Sequence, residues 1–370
     1  MYWNIVWNQS FTSDMLGGIF APKGKTVGFP VLCPQQGTKI RIQLCNERGK
    51  KPYRIGKLSI VKNGKVYPVT LNGKREIVVP VHSSIYTDET EVPVESGEKI
   101  QIRLYLASKA MDINVSENEA VCWKGDAADN LGIPCLSQKT PPFIPAIDRV
   151  EILSEKETKV IAAFGDSITA MGYWAKPLAK RIYEEYGGQY VLLNAGINGN
   201  CMTSNWEGNS FANRMFSKVM GLKGTVRFER DILQLENLHT VIFALGINDV
   251  ANMCLPRQKQ VNLENLEKET LRLAKKAKDR GAKIVIQTLT PFKGSANYTE
   301  ERDRLRLKYN EWVNTVGRDF FDYVVDCMAV LAEDDDPSKM KEELQRGDHL
   351  HPNPNGGLAM ADCYDLSKII

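Results

Sequence analysis

The hydrophobic period changes once along this chain, near Val150, and that change constrains the fold more than any other feature. From about Val27 to Leu106, apolar residues recur at every second position in TKIRIQLC (38–45), GKLSIVK (56–62), KVYPVTL (65–71), REIVVPV (75–81) and EKIQIRLYL (98–106). A period of two turns one row of side chains into a core and the other toward water, the pattern of antiparallel strands. Asn63-Gly64, Asn72-Gly73 and Ser96-Gly97 separate several of these runs. The two Asn-Gly pairs favour primed hairpin turns, whose central residues need positive φ. Residues 1–149 are therefore expected to form an antiparallel β-sandwich or jelly-roll-like domain. The Pro-, Asp- and Asn-rich stretch from Ser108 to Arg149 would wrap or link it.

From 150 to 370, short apolar runs alternate with amphipathic helical segments. TKVIAAF (158–164), YVLLNA (190–195), HTVIFAL (239–245), AKIVIQTL (282–289) and DYVVD (322–326) read as buried strands. Between them 174–187, 261–280 and 300–318 read as helices, with a last one from about Gly356. This alternation predicts a parallel sheet with helices on both faces, a three-layer α/β/α domain. Open sheets of that kind gather their functional groups beyond the carboxyl ends of the strands.

Composition serves mainly to exclude. A net charge of +3 over 370 residues, with both signs evenly mixed, offers no field for nucleic acid or an anionic membrane. No apolar run nears the ~18 residues of an integral membrane helix. MYWNIVWNQSFTSDM lacks the basic start and apolar stretch of a signal peptide, so the expected location is cytoplasmic, or secreted if a leader has been removed. Eight cysteines without a C-x-x-C pair or a compact Cys/His group argue against a zinc module and are expected to be buried free thiols. GIFAPKGKT (18–26) misses the phosphate-loop spacing by one residue and reads as a turn.

Three segments at strand ends carry side chains suited to chemistry. In FGDSITAMGYW, Ser167 follows the first strand of the second half, where a hydroxyl can stand at the rim of the sheet or can simply cap the next helix. NAGINGN (194–200) and LGINDV (245–250) each set Gly beside Asn, whose amide can donate to an anionic oxygen, although both are also ordinary turn chemistry. Asp166 and Asp249 are expected to hydrogen-bond the backbone of their own loops. A serine nucleophile needs an imidazole base, and the base needs an acceptor that fixes its tautomer. Of His82, His239, His349 and His351, the last stands three positions after Asp348 in GDHLHPN, so a carboxylate of its own loop can orient it; His349 should point elsewhere. Asp326, at the end of the fifth strand, is the rival orienter. Trp174 and Trp206 either wall a pocket or pack in the core, and Glu333 to Asp336 reads as a solvated loop.

Ser, Gly, Asn and Asp-x-x-His thus follow successive strands toward one edge. In this order they resemble the four blocks of the SGNH, or GDSL-type, hydrolases, over roughly Val150 to Ile370. FERDIL (228–233) and TLTPF (288–292) look like the bacterial GDSL-type esterases that carry an extra N-terminal β-domain. The resemblance implies a flavodoxin-like α/β/α fold, Ser167 as nucleophile, and Asp348 and His351 as the rest of a triad. It also implies an oxyanion hole made by the Ser167 and Gly199 amides and the Asn248 side chain. Many relatives have Ser where this chain has Asn198. The implied activity is hydrolysis of a carboxylic ester through an acyl-enzyme, with no metal or organic cofactor required. Short-chain acyl esters or carbohydrate O-acetyl esters are the expected substrates. A lysophospholipase-type acylhydrolase and a carbohydrate-binding protein on a weakly active hydrolase fold are the alternatives.

Overall fold

A computed structural model describes residues 1–12, 23–110, 113–115, 120–132, 143–205, 220–251 and 262–370. By its contacts the chain divides into two compact units, residues 1–158 with 186–193, and residues 159–185 with 194–370.

The period-two runs form strands that bury alternate residues. The first unit contains β1 (Tyr2–Asn8), β2 (Lys25–Cys33), β3 (Gly37–Cys45), β4 (Tyr53–Lys62), β5 (Lys65–Val69), β6 (Ile77–Val79), β7 (Ser84–Tyr86), β8 (Thr90–Val94) and β9 (Glu98–Leu106). They are followed by β10 (Ile113–Val115), β11 (Val121–Lys124), β12 (Phe143–Pro145) and β13 (Ile147–Ser154). One antiparallel sheet runs β1-β13-β3-β7 with β8 also on β3; a second runs β11-β2-β9-β4-β5 with β6 also on β4. Ile40, Ile42 and Leu44 of β3 and Ile100, Ile102, Leu104 and Leu106 of β9 belong to one buried cluster, the core of the sandwich. Both Asn-Gly turns adopt the expected geometry, with φ of 47° and 71° at Asn63-Gly64 and 52° and 73° at Asn72-Gly73. Gly24 turns into β2, a strand rather than a helix, so the described part of GIFAPKGKT is a turn.

The second architecture is a five-stranded sheet of β14 (Lys159–Gly165), β15 (Tyr190–Gly196), β16 (Leu238–Ala244), β17 (Lys283–Gln287) and β18 (Tyr323–Val325). Its order, β15-β14-β16-β17-β18, is the flavodoxin-like one, and β14, β16, β17 and β18 pair in parallel. After Lys159 every residue of β14 is buried, as a strand covered on both faces requires. The helices are α1 (Ser167–Ala170), α2 (Ala175–Tyr186), α3 (Gly224–Phe228), α4 (Ile247–Val250), α5 (Leu263–Lys278), α6 (Glu300–Asn314), α7 (Cys327–Leu331), α8 (Pro354–Asp362) and α9 (Leu366–Ile369). Successive connections leave β14 in opposite directions, so the carboxyl ends of β14 and β16 border the switch point where open α/β sheets bind ligands.

The expectation for the cysteines needs correction. Cys201 is disulfide-bonded, whereas Cys33, Cys45 and Cys327 are buried thiols and Cys122 and Cys363 are half-buried thiols. Burial pushes the Cys33 thiol up to about 12, with Glu98 adding to the shift, so it is inert. Cys135 and Cys254 lie outside the described residues. No described helix is long and apolar enough to cross a membrane.

Candidate active site

Gly165 ends β14 and Ser167 begins α1, which leaves Asp166 as the cap: its Oδ1 accepts the Ile168 N–H at 3.0 Å. The capping role that Ser167 could have filled is therefore taken by its neighbour. Ser167 is 6 % exposed, and its Oγ lies 2.8 Å from Nε2 of His351.

His351 reaches that point from a loop closed on itself. Gln345 and Pro352 form an isolated bridge, and the buried Gln345 side-chain oxygen accepts the N–H groups of Gly347 and, at 3.1 Å, His349. Asn353 caps α8 by accepting the Gly356 N–H at 3.0 Å and ties back by donating to the carbonyls of Glu343 and Gln345. Within this loop, Asp348 Oδ1 accepts the N–H groups of Leu350 (3.0 Å) and His351 (2.9 Å), while Oδ2 faces His351 Nδ1 at 2.6 Å. A carboxylate only accepts, so Nδ1 carries the proton and Nε2 is left to accept from the Ser167 hydroxyl. Burial opposes ionisation of Asp348, yet the His351 N–H, the His351 ring and the Leu350 N–H outweigh it and hold the carboxyl below its ordinary value.

The other candidates resolve plainly. His349 adopts a φ of 56° and lies over Gly294, where an added Cβ would stand 3.0 Å from the ring, so it does point elsewhere. Asp326 caps α7 and accepts the Thr288 hydroxyl at 2.9 Å. Trp174 is fully buried with its ring stacked on Tyr364 at 5.7 Å, which is core packing. Trp206 lies outside the described residues. Glu333, Asp334 and Asp336 pair with Lys339, Lys341 and Lys293, consistent with a solvated loop.

Beyond β15 the chain must pass close to α1. A Cβ on Gly196 would lie 2.3 Å from the Ala170 backbone nitrogen, so only glycine lets the strand end approach. A turn follows, closed by Asn200 N–H to Ile197 O at 3.1 Å, and Gly199 occupies its left-handed position (φ +68°) with the Met220 side chain packed against it. Beyond β16, Asn248 sits in α4, 1 % exposed, and its Nδ2 donates to the Asn200 carbonyl at 2.8 Å. The blocks containing Gly199 and Asn248 thus meet at Asn200.

Asp166 accepts from its own loop, as expected. Asp249 does not: it accepts the Met202 N–H (2.7 Å), the Thr203 N–H (2.9 Å) and the Thr203 hydroxyl (2.7 Å), so it fastens the loop after β15 rather than its own. Burial raises both carboxyls, Asp166 up to about 7 and Asp249 above its usual range.

Sequence reasoning missed Arg227, the second to last residue of α3. It is 1 % exposed and bonds Asn200 Oδ1, the carbonyls of Ala195 and Gly165, and Asp231. A single π turn (Glu229–Leu233) carries Asp231. The available signal was an Arg and an Asp four residues apart within VRFERDIL. Among the described residues no group of three or more His, Cys, Asp or Glu side chains could hold a metal ion.

Residues 163–357 match the model of the GDSL-like Lipase/Acylhydrolase family. Solved structures similar to the chain include an acetylxylan esterase from Geobacillus stearothermophilus (21 % identity, 57 % of this chain and 94 % of that one, TM-score 0.42). Others are the acetyl xylan esterase AlAXEase (21 % identity, 55 % and 96 %, TM-score 0.42) and a GDSL-like lipase from Bacteroides thetaiotaomicron (16 % identity, 57 % and 87 %, TM-score 0.40). No curated protein matches the chain.

Proposed function

The chain belongs to the GDSL-like lipase/acylhydrolase family, and from that premise we propose that it hydrolyses carboxylic esters through an acyl-enzyme on Ser167. The observation that carries this reading is the continuous path from Ser167 Oγ through His351 (2.8 Å) to Asp348 (2.6 Å). In the proposed reaction Ser167 Oγ bonds to the ester carbonyl carbon while its proton passes to His351 Nε2, and Asp348 stabilises the imidazolium. The Ser167 and Gly199 amides and the Asn248 side chain hold the anionic oxygen. Collapse of the tetrahedral intermediate breaks the bond to the alcohol oxygen, which takes the proton from His351. Water then gives a proton to His351 and attacks the acyl group, and the acid leaves as Ser167 regains its hydrogen.

The substrate we propose is a short-chain or carbohydrate O-acetyl ester. Supporting this, the Asp348 side chain behind the base is 48 % exposed, so that end of the triad is hydrated, which suits a polar substrate such as a sugar ester. The test is turnover of aryl esters of increasing acyl length and of acetylated oligosaccharides by native enzyme and by Ser167→Ala. Activity highest on acetyl esters and lost in the variant is the expected result. A rate unchanged in the variant would overturn the mechanism, and a preference for long chains would overturn the substrate.

A further inference from the structure

We propose that Arg227 is the positioning residue of the oxyanion site, acting on Asn248 through Asn200; this rests on the acylhydrolase reading above. Among the described residues its guanidinium meets four acceptors. Nε donates to Asn200 Oδ1 at 2.9 Å, one terminal nitrogen to Ala195 O (2.8 Å) and Asp231 Oδ2 (2.9 Å), and the other to Gly165 O (2.8 Å). Gly165 is the last residue of β14, and Ala195 is the penultimate residue of β15. Gly165 O also accepts the Ile197 N–H at 3.2 Å, the first amide of the turn that contains Gly199. One buried cation therefore joins the ends of the two strands that present Ser167 and Gly199.

The same cation fixes the turn at its far end. With its side-chain oxygen on Arg227, Asn200 has its Nδ2 directed to the carbonyls of Met220 and Leu222, both at 2.8 Å. That leaves the Asn200 backbone carbonyl set to receive the Asn248 amide. An oxyanion donor works only if it is in place before charge develops, because reorganisation during the reaction would cost what the donor supplies. Asn248 is in place because Asn200 is, and Asn200 because Arg227 holds it.

The geometry also explains why the cation is arginine. Four acceptors in separate directions match a rigid planar fork, whereas an ammonium on a flexible stem is a point donor. Asp231 supplies the compensating charge that such burial requires, and the Phe164 ring lies 4.3 Å from Arg227 Cζ. Asp231 stands four residues after Arg227, the spacing that sets both side chains on one helix face.

The experiment compares kcat and KM on an acetyl ester for native enzyme, Arg227→Lys, Asn248→Ala and the double variant. The expected result is a kcat about ten- to a hundredfold lower in Arg227→Lys with KM changed less than about threefold. The double variant should be within about twofold of Asn248→Ala, because both changes remove one donor. If Arg227→Lys fails to fold, Asn200→Ala takes its place; it removes the side chain through which Arg227 holds the carbonyl that receives Asn248, while leaving Arg227 on Asp231 and the strand ends, and the same non-additivity is expected. Native kcat in either variant, or losses that multiply in the double variant, would overturn the inference while leaving the acylhydrolase reading intact. A native protein that hydrolyses no ester would overturn both.

Discussion

Replacing Asp348 with Asn changes one atom, and the surrounding bonds dictate which way the new group turns. Among the described residues Oδ1 accepts two backbone N–H groups, at 3.0 and 2.9 Å, whereas Oδ2 meets only the His351 ring, at 2.6 Å. An asparagine keeps its oxygen on the two donors and so aims its NH2 at Nδ1. The ring must then accept at Nδ1 and carry its proton on Nε2, the nitrogen that faces Ser167. A base already protonated where it should accept is the wrong tautomer, and the same exchange in an Asp-His-Ser triad costs on the order of 10⁴ in kcat. The fold should hardly notice, since a single hydrogen bond at a half-exposed carboxylate contributes about 1 kcal/mol. At neutral pH the melting temperature should fall by no more than about 2–4 °C. Asp348 is more acidic folded than unfolded, so its contribution to stability is present above the ordinary carboxylate range and disappears as pH falls through the lowered value. The assay is steady-state hydrolysis of an aryl acetate by protein checked for folding by circular dichroism. An Asp348→Asn enzyme within tenfold of native kcat would refute the tautomer argument.

Substitutions at two further residues report on neighbouring groups. Asn248→Ala should lower kcat by about 10²–10³ with KM little changed, and Asn248→Asp, which sets a negative charge where an oxyanion forms, should lower it further; native turnover in the Ala variant would remove Asn248 from the site. Asp166 is held neutral by burial up to about pH 7, while an unfolded chain ionises it from the ordinary value of 3.8. Folding stability therefore declines as pH rises from about 4 to about 7 and levels off above. Asp166→Asn keeps an acceptor for the Ile168 N–H and loses that titration, so its thermal stability should gain on the native protein's across this window; parallel curves would contradict the assigned cause.

What could be read from the sequence was local. The runs that became β3, β4 and β9 show their period because one face of each is buried and the other is not. Asp348 and His351 lie three residues apart, so their contact is a property of one loop, and the Asn-Gly turns are likewise set by two residues. What escaped was non-local. The stretch from Ser108 to Arg149 reads as linker, yet Ile147–Ser154 forms the strand between β1 and β3, pairing with residues more than a hundred positions away. Its buried Asp148 and Glu151 break the apolar pattern that a central strand would otherwise show. Arg227 escaped because arginine reads as surface unless its partners are known, and three of its four acceptors come from other segments. Asp249 reads as a partner of its own loop for the same reason: the N–H groups it accepts belong to a loop 46 and 47 residues earlier.

The central claim is that the Ser167 hydroxyl is an activated nucleophile. Reaction of the folded protein with a fluorophosphonate, followed by mass spectrometry of its peptides, tests it without a choice of ester. The account predicts one phosphonyl group per chain, carried on Ser167 and absent from a His351→Ala variant exposed for the same short time. A native protein left unmodified at Ser167, or one labelled there equally fast without His351, would contradict it.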